Sequence, residues 1–514
     1  MPNATAHAPA DLVAPLVLTI DIGTSSVRTL VYDARGQAVP GVGGHEPYTV
    51  RAAADGRSED DADAAVARVA RCVDTALSQA GALAAHIGAV AVDTLVSNIL
   101  AIDASGRPLT PLITYADTRN ADDAAALRRE LDERAVHQRT GCMLRTSYWP
   151  ARLAWFKRTQ PATWRSAARW ITLGEYLELQ LFGQCRASYS AASWGGLLGR
   201  ASLEWDAPLL AHLRLGAGQL SPLVGADAPL RGLTGRDAQG RAYAERWPAL
   251  RGVPWFAAIG DGAAANIGSG ATSEGRVALT VGTTGALRVV LQEGRPAATP
   301  VPDGLWCYRV DARRALLGGA TSEGGNVYAW LRQTLRLGEP EQIEAQWSKL
   351  PPDGHGLTVL PFVAGERSPG WAGDVRATIH GLGLSTAPIE ILRASLEAVA
   401  YRFAIIFGGL EASQASQPHR SEAQLIASGG ALLGSPAWMQ LIADVLGRPL
   451  VASAEHEATS RGAALLALEA LGAVASVDDL PASTGARYLP DPANHAAYQA
   501  AIARQQELYR QFYG

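Results

Sequence analysis

The first hydrophobic pattern of the chain predicts a β-hairpin. Residues 16–36 read LVLTIDIGTSSVRTLVYDARG, where two apolar runs, LVLTI and VRTLVYD, flank a segment of small residues. Apolar runs separated by glycine and small polar residues are typical of two strands joined by a turn. The pattern therefore places Asp21 at the end of a strand and Gly23 in the turn. Residues 1–14 are mostly small and contain two prolines, which predicts a flexible N-terminal tail.

The rest of the chain alternates between helical and strand-like periodicity. Alanine-rich 3–4 spacing predicts a helix over 61–84, and the run AVAVDTL (89–95) predicts a buried strand. The pattern over 120–220 is largely helical. A further long helix is predicted from Pro388, because proline is tolerated in the first turn and apolar 3–4 spacing follows it.

A second hairpin pattern repeats the first. The run VALTVGTTGALRVVLQEG (277–294) again has two strand-like segments around a Gly-Thr turn, followed by arginine as in the first hairpin. Such a repeat is typical of an internal duplication. A chain of 514 residues also exceeds the size at which one hydrophobic core stops growing. The sequence therefore predicts two related α/β domains, at residues 15–260 and 261–514.

The composition of the chain is that of a folded globular protein and disfavours several other classes. Hydrophobic residues make up 48% and charged residues 18%, which is typical of a folded globular protein. The net charge of −4 predicts no basic surface for nucleic acid or for an anionic membrane. No apolar stretch reaches the ~18 residues of a membrane span. The four cysteines lack metal or disulfide spacing, which is typical of a reducing compartment, so a cytoplasmic protein is predicted.

The two Gly-Thr turns are candidate phosphate sites. The chain lacks the GxxxxGK[ST] motif, so a kinase of the P-loop type is not expected. Glycine lets the backbone approach an anion, and consecutive N–H groups with hydroxyls can donate to phosphate oxygens. The alternative is an ordinary hairpin turn, which is the commoner role of such a segment when it occurs alone.

Two aspartates are candidates for catalysis. Asp21 precedes the first turn, and a buried carboxylate there needs a partner such as hydrated Mg²⁺. Asp261 lies between Gly260 and Gly262 at the start of a predicted helix. It can be a helix N-cap or a general base that accepts the proton of a substrate hydroxyl, and the spacing leaves both interpretations open.

Seven motifs, in order, resemble those of the FGGY family of carbohydrate kinases. They are DIGTSSVR (21–28), GDGAAANIGSGA (260–271), VGTTGALRV (281–289), GGATSEGGNVYAWL (318–331), LPFVAGERSPGW (360–371), ASGGALLGSPAWMQLIADVLGRP (427–449) and EATSRGAALLAL (457–468). Within the family the chain looks most like the gluconokinase-like branch. The resemblance implies two actin/hexokinase-like domains of the ribonuclease H type that flank a cleft for ATP and substrate.

The resemblance also implies roles for single residues, with ATP and Mg²⁺ as cofactors. Asp21 would hold Mg²⁺ through water, and Asp261 would be the catalytic base. The positions that match ATP contacts are Thr24, Ser25, Arg28, Gly282, Thr283, Thr284, Gly325, Asn326, Gly429, Gly430 and Ala431. The positions assigned to the substrate are Ser97, Asn98, Arg145, Tyr148 and Asp261.

The strand after Asp93 departs from the family pattern. Gluconokinase-like relatives usually carry Trp-His or Met-His where this chain has Val96 and Ser97. Such a change alters which polar groups of a substrate the pocket satisfies. Arg145 stands where a less charged residue is expected, so it is a candidate partner for an acid group, or else a solvated surface arginine. Gluconate is therefore a first guess for the substrate.

Three functions are compatible with these patterns. The leading one is ATP-dependent phosphorylation of a hydroxyl on a small sugar, polyol or sugar acid. A non-catalytic sugar-binding regulatory protein on the same fold is the alternative, and the altered strand is its only support. An actin- or chaperone-like ATPase would share the two-domain core, but the motifs outside the turns disfavour it. The resemblance also suggests a homodimer.

Overall fold

The computed structural model describes residues 12–292, 294–413 and 423–513. Its strands are β1 (Leu16–Ile22), β2 (Ser26–Tyr32), β3 (Ala38–Pro47), β4 (Arg51–Ala52), β5 (Ser58–Asp60), β6 (Ile87–Thr94), β7 (Leu100–Ile102), β8 (Leu112–Ile113), β9 (Arg169–Ile171), β10 (Ala187–Ser188), β11 (Leu223–Val224), β12 (Ile259–Gly260), β13 (Arg276–Val281), β14 (Gly285–Leu291), β15 (Trp306–Arg309), β16 (Ala315–Thr321), β17 (Thr358–Leu360), β18 (Thr378–His380), β19 (Gln424–Ser428), β20 (Leu450–Ser453) and β21 (Thr484–Tyr488).

The helices follow the same chain order. They are α1 (Ala62–Ala80), α2 (Ala121–Glu130), α3 (Glu133–Thr140), α4 (Trp149–Thr159), α5 (Pro161–Ser166), α6 (Leu173–Phe182), α7 (Tyr189–Gly195), α8 (Ala207–Leu213), α9 (Tyr243–Arg246), α10 (Asp261–Gly268), α11 (Arg295–Ala298), α12 (Gly325–Thr334), α13 (Pro340–Trp347), α14 (Pro388–Ser413), α15 (Gly430–Leu433), α16 (Pro436–Leu446), α17 (Ala458–Ala470) and α18 (Pro492–Tyr513).

The first large sheet has the strand order β12-β6-β1-β2-β3. β1 pairs antiparallel with β2, as the hydrophobic pattern predicts, and parallel with β6, which in turn pairs parallel with β12. β1 is buried along nearly its whole length, and only Asp21 is partly exposed. Helix α1 packs on β1, β2 and β3, and α17 packs on β1, β2 and β6. A strand covered on both faces is expected to be mostly apolar, which explains the run LVLTI.

The second large sheet repeats this arrangement. Its order is β15-β16-β14-β13-β19-β20-β21. β13 pairs antiparallel with β14 and parallel with β19, just as β1 pairs with β2 and β6. The five strands β16-β14-β13-β19-β20 therefore correspond in order to β3-β2-β1-β6-β12. The predicted fold class of two related α/β domains is confirmed, and the duplicated hairpin occupies the same place in each sheet.

Two helices cross at very short distance where the domains meet. A Cβ atom on Gly268 of α10 would lie 1.8 Å from the carbonyl oxygen of Ala458 at the start of α17. A Cβ atom on Gly462 of α17 would lie 1.8 Å from the carbonyl oxygen of Ala264 in α10. Because no real side chain fits these spaces, glycine is required at both positions for the two backbones to touch. This crossing fixes α10, and therefore Asp261 at its first residue, relative to α17.

The limits of the first domain are only partly defined by the structure. Residues 1–11 of the predicted tail lie outside the described residues, while Val13 accepts a hydrogen bond from the backbone N–H of Ala34 at 2.8 Å. The predicted boundary between residues 260 and 261 falls between β12 and α10 and stays a prediction. Among the described residues, no helix has the length and apolar character needed to cross a bilayer.

Candidate active site

The first predicted phosphate turn is the tip of the β1–β2 hairpin. The backbone N–H of Gly23 donates to the carbonyl oxygen of Ser26 at 3.1 Å. Tyr48 supports the turn from the side, because its N–H donates to the carbonyl oxygen of Ser25 at 2.8 Å and its hydroxyl donates to that of Gly23. The side chains of Thr24 and Ser25 are exposed. The turn is thus held rigidly while its two hydroxyl groups stay accessible.

Arg28 connects this hairpin to the second domain. Its Nη1 lies 2.8 Å from Oε2 of Glu457, the residue just before α17, and both side chains are about 40% exposed. Arg28 is also the antiparallel partner of Asp21 across the hairpin. Burial raises the pKa of Asp21, while Asp93 and the charge of Arg28 act in the opposite direction. The structure therefore brings Arg28 to the cleft next to the predicted metal residue.

The second predicted phosphate turn gathers the other residues assigned to ATP. The carbonyl oxygen of Gly282 accepts the N–H of Gly325 at 2.8 Å, and that of Thr283 accepts the N–H of Asn326 at 3.1 Å. The side chains of Thr283 and Thr284 are exposed. The amide of Asn326 is used within its own loop, where Oδ1 accepts from Gly324 and Nδ2 donates to Ser322.

The glycine loop before α16 packs against the same turn. A Cβ atom on Gly325 would lie 2.7 Å from the Cβ atom of Ala431. Gly429 has φ +92°, and a Cβ atom there would lie 2.4 Å from the carbonyl oxygen of Val281 at the end of β13. Glycine is needed at 429 for both reasons. The residues that the sequence assigns to ATP in the second domain therefore converge at one end of the sheet.

A buried pair of carboxylates lies at the ends of β1 and β6. Asp21 and Asp93 are direct partners in the parallel register of these strands. Asp93 is fully buried, and neither of its carboxylate oxygens receives a hydrogen bond from the described residues. Burial, together with the charges of Asp21 and Asp261, raises the pKa of Asp93 well above its ordinary value. Three acidic side chains thus meet where the strands end.

Asp261 is not an N-cap. Gly260 occupies the cap position of α10, and no side chain caps this helix. The Oδ1 atom of Asp261 instead accepts the N–H of Gly262 at 2.7 Å. Burial and the nearby charge of Asp21 raise the pKa of Asp261 to about 6, against the lowering effects of this hydrogen bond and of Arg288. A partly buried carboxylate with this pKa is suited to accept a proton near neutral pH.

An aromatic wall, formed by Trp194, Tyr308, Tyr148 and Trp371, extends from Asp261 across the cleft. A Cβ atom on Gly262 would lie 3.1 Å from the ring of Trp194, which stacks on Tyr308 with ring centroids 3.8 Å apart. The hydroxyls of Tyr308 and Tyr148 share a hydrogen bond, and the rings of Tyr148 and Trp371 lie 6.5 Å apart. Trp194 is buried, and its Nε1 has no partner among the described residues.

Two of the predicted substrate residues lie behind this wall. The hydroxyl of Ser97 donates to the carbonyl oxygen of Trp194, and Ser97 itself has a φ of +52°. The side chain of Asn98 donates to Leu95 at 2.6 Å and accepts from the N–H of Leu173 at 2.7 Å. Both residues are buried. They position the surrounding elements, and a direct substrate contact by either gains no support from these bonds.

The other two predicted substrate residues, Arg145 and Tyr148, differ in whether their side chains are available to a substrate. The guanidinium of Arg145 is ion-paired with Glu133 and also donates to the carbonyl oxygen of Leu144. Its charge is thus already compensated, so the structure does not favour it as the partner of an acid group. Tyr148, in contrast, belongs to the aromatic wall.

Sequence analysis did not assign several residues that the structure places at the site. Asp93 had a visible signal, since it is an acidic residue inside an otherwise apolar strand. Arg288 follows the turn of the second hairpin, as Arg28 follows that of the first, and Arg367 lies in the motif GERSPGW. Trp194 resembled an ordinary core tryptophan. These side chains are far apart in the sequence and come together only in the folded chain.

Comparison with known proteins is consistent with this geometry. The model of the FGGY family of carbohydrate kinases, N-terminal domain, matches residues 16–268, and that of the C-terminal domain matches residues 277–471. A gluconokinase of Bacillus subtilis (strain 168) is 27% identical over 494 residues, which is 94% of this chain and 92% of that protein. An apulose kinase of Pectobacterium atrosepticum is 30% identical over 471 residues, 90% of each chain.

Solved structures agree with these matches. A xylulose kinase from Rhodospirillum rubrum superposes with a TM-score of 0.86 at 26% identity, over 96% of this chain and 98% of that one. A gluconate kinase from Lactobacillus acidophilus superposes with a TM-score of 0.85 at 23% identity and the same coverage, which supports the fold. The chain is therefore a carbohydrate kinase of the FGGY family.

Proposed function

We propose that the protein transfers the γ-phosphoryl group of ATP to a hydroxyl of a small sugar, polyol or sugar acid, with Asp261 as the general base. The observation that carries this proposal is the position of Asp261. It begins α10 in the cleft, next to the aromatic wall, with a pKa of about 6. A base with a pKa close to the working pH is the most effective one for removing a hydroxyl proton.

The reaction balances without a covalent enzyme intermediate. The substrate oxygen forms a bond to the γ-phosphorus, and the bond from that phosphorus to the β,γ-bridging oxygen breaks. The substrate proton passes to Asp261, and ADP leaves with the bridging oxygen. Most of the catalytic effect in phosphoryl transfer comes from positioning and from charge stabilisation. The exposed hydroxyls of Thr24, Ser25, Thr283 and Thr284 are suited to hold the phosphates from both sides.

The acidic residues fit a Mg²⁺ ion. Asp21 and Asp93 are neighbours, and the two oxygens of Asp93 are buried without a donor among the described residues, which is unfavourable unless a cation or a proton is present. Carboxylates are preferred ligands of Mg²⁺, which usually keeps several waters. Asp21 would hold the hydrated ion and Asp93 would support it. Bound Mg²⁺ would neutralise charge on the phosphates.

Replacing Asp93 by asparagine is expected to weaken metal binding. The substitution removes one negative charge next to Asp21 while keeping the size of the side chain. We expect the affinity for Mn²⁺, measured by electron paramagnetic resonance with a non-hydrolysable ATP analogue, to fall roughly 10- to 100-fold. Exposed Asp122→Asn on α2 is the matched control and should leave the affinity unchanged. Equal affinities in Asp93→Asn and the wild type would exclude Asp93 from the metal site.

The pH dependence of kcat/KM is expected to reflect the ionisation of the Asp261 carboxyl group. The pKa of Asp261 is raised from 3.8 to about 6, and the base must be deprotonated to accept a proton. The rate should therefore fall tenfold per pH unit below about pH 6, because the protonated fraction rises as the pH drops. Initial rates between pH 4.5 and 8 with saturating Mg²⁺-ATP test this. A rate that stays constant down to pH 4.5 would contradict a base with this pKa.

The substrate itself is the least defined part of the proposal. Gluconate is the first candidate, because relatives named gluconokinase and gluconate kinase match nearly the whole chain. The test is ADP release over a panel of pentoses, hexoses, polyols and aldonic acids. Nothing in the described part of the structure supports the alternative of a non-catalytic regulatory protein, which predicts sugar binding without ADP formation. A cytoplasmic location, a homodimer and the absence of a nucleic-acid partner stay predictions from the sequence.

A further inference from the structure

Two arginines of the second domain face the cleft without an ionic partner among the described residues. Arg288 lies on β14, and Arg367 lies in the loop before β18. Within the same described ranges neither makes an ion pair or a side-chain hydrogen bond, and Nε of Arg288 is buried without an acceptor. Three other arginines, in contrast, are ion-paired: Arg28 with Glu457, Arg145 with Glu133, and Arg402 with Glu366.

The two guanidinium groups lie at different distances from the base. Among nearby charges, Asp261 has the largest effect on the pKa of Arg288, which burial lowers to about 10. Arg367 lies farther along the aromatic wall, with its guanidinium carbon 6.0 Å from the centre of the Trp371 ring. The charges of Asp261 and Arg367 act on the pKa of Tyr115 in opposite directions, so both lie near this side chain. Arg288 lies near the base, and Arg367 lies at the Trp371 end of the aromatic wall.

A nearby acidic side chain does not neutralise Arg367. Glu323, at the end of β16, is completely buried, and neither of its carboxylate oxygens has a donor among the described residues. Burial raises the pKa of Glu323 to about 8, so it is mostly protonated at neutral pH. Arg367 therefore contributes a positive charge that no described side chain within hydrogen-bonding distance compensates. A guanidinium in such a place is well suited to bind a carboxylate through paired hydrogen bonds.

We propose that Arg367 binds an anionic group at the end of the substrate remote from the hydroxyl that reacts at Asp261, and so selects aldonic acids over the corresponding polyols. The inference rests on the proposed kinase function and specifies its substrate class. Arg145, the candidate from the sequence, is a less suitable partner for this group because it is ion-paired with Glu133. The alternative ligand of Arg367, together with Arg288, is the transferring phosphoryl group, and the experiment distinguishes the two ligands.

The test compares acids with alcohols of the same chain length. D-gluconate and D-glucitol, and D-xylonate and D-xylitol, differ only in whether the end of the chain is a carboxylate or a CH₂OH group. With the wild-type enzyme, we expect one aldonate to have a KM at least tenfold below that of its alditol. In Arg367→Met the KM of that aldonate should rise roughly 10- to 100-fold, the range of a lost charge-assisted hydrogen bond, with the alditol nearly unchanged. Arg367→Lys should recover part of the loss.

Arg376→Met is the matched control, because Arg376 is exposed in the same loop and, among the described residues, its guanidinium donates only to backbone carbonyls. It should leave both KM values unchanged. Equal losses for acid and alcohol in Arg367→Met, or a raised KM for ATP, would assign Arg367 to the phosphoryl group or to the fold and would overturn the inference. Wild-type preference for the alditol would overturn it too, while leaving the kinase function intact.

A binding measurement keeps the inference separate from the kinase function. Calorimetric titration of the wild type and Arg367→Met with the same aldonates, without ATP, does not depend on turnover. If no compound in the panel is phosphorylated, the proposed kinase function fails. Tighter aldonate binding by the wild type than by the variant would still support the carboxylate site, and equal binding would refute it.

Discussion

Replacing Asp261 by asparagine is expected to lower kcat by roughly a hundredfold to ten-thousandfold, the range that a general base contributes. The variant keeps the Oδ1 atom that accepts the N–H of Gly262, so the start of α10 should not move. The residues proposed to bind ATP belong to other segments, so nucleotide affinity should change little. Steady-state ADP release and titration with a fluorescent ATP analogue measure the two effects. Near-normal turnover would remove Asp261 from the role of base.

The same variant should be more stable at neutral pH. Because the folded-state pKa of about 6 is above the ordinary value of 3.8, folding favours the protonated form. Stability from this group is present at low pH and is lost as the pH rises through 6. At pH 7.5 the neutral asparagine avoids this cost, which is up to about 3 kcal/mol at ~1.4 kcal/mol per pKa unit. Melting curves should show a higher Tm than the wild type at pH 7.5 and no such gain at pH 4.5.

The second large effect is expected from Gly462→Ala. The added Cβ atom would lie 1.8 Å from the carbonyl oxygen of Ala264 and 2.8 Å from the N–H nitrogen of Gly268. Both are backbone atoms of α10, so only a shift of a whole helix relieves the clash. We expect a loss of about 3 kcal/mol or more, which lowers Tm by roughly 6–12 °C. Turnover should also fall, because α10 carries Asp261 into the cleft.

Gly408→Ala is the matched control for this prediction. Gly408 lies in α14 and is exposed, and a Cβ atom added there would have no described neighbour within 4 Å. Alanine in a helix is favoured over glycine by about 1 kcal/mol, so this variant should melt at the same or a higher temperature. If Gly462→Ala melted and turned over like Gly408→Ala, the close helix crossing would not be a requirement of the fold.

The fold could be predicted from the sequence where the signal is local. The hairpin of β1 and β2 is determined by two apolar runs and a glycine turn, and its repeat in β13 and β14 predicts two related domains. The family motifs predicted which glycines of the second domain come together, since Gly282, Gly325 and Gly429 meet at sites where a side chain would clash or a turn is needed.

The substrate side could not be predicted in this way. Asp93, Trp194 and Arg367 come from distant parts of the chain, and each is ambiguous alone: a buried acid, a core tryptophan, a loop arginine. Arg145 has the charge that an acid group requires, but Glu133, twelve positions earlier, compensates it, which only the folded chain reveals. The role of a charged residue depends on its partners, and those are set by tertiary structure.

The most direct test of the central claim is ADP release with purified enzyme, Mg²⁺ and ATP, measured with and without each member of the sugar, polyol and aldonate panel. The account predicts that ADP forms only when an acceptor is added, that one mole of phosphate ester appears per mole of ADP by mass spectrometry, and that Asp261→Asn abolishes most of this rate. ADP release at the same rate without any acceptor, or none with every acceptor, would contradict it.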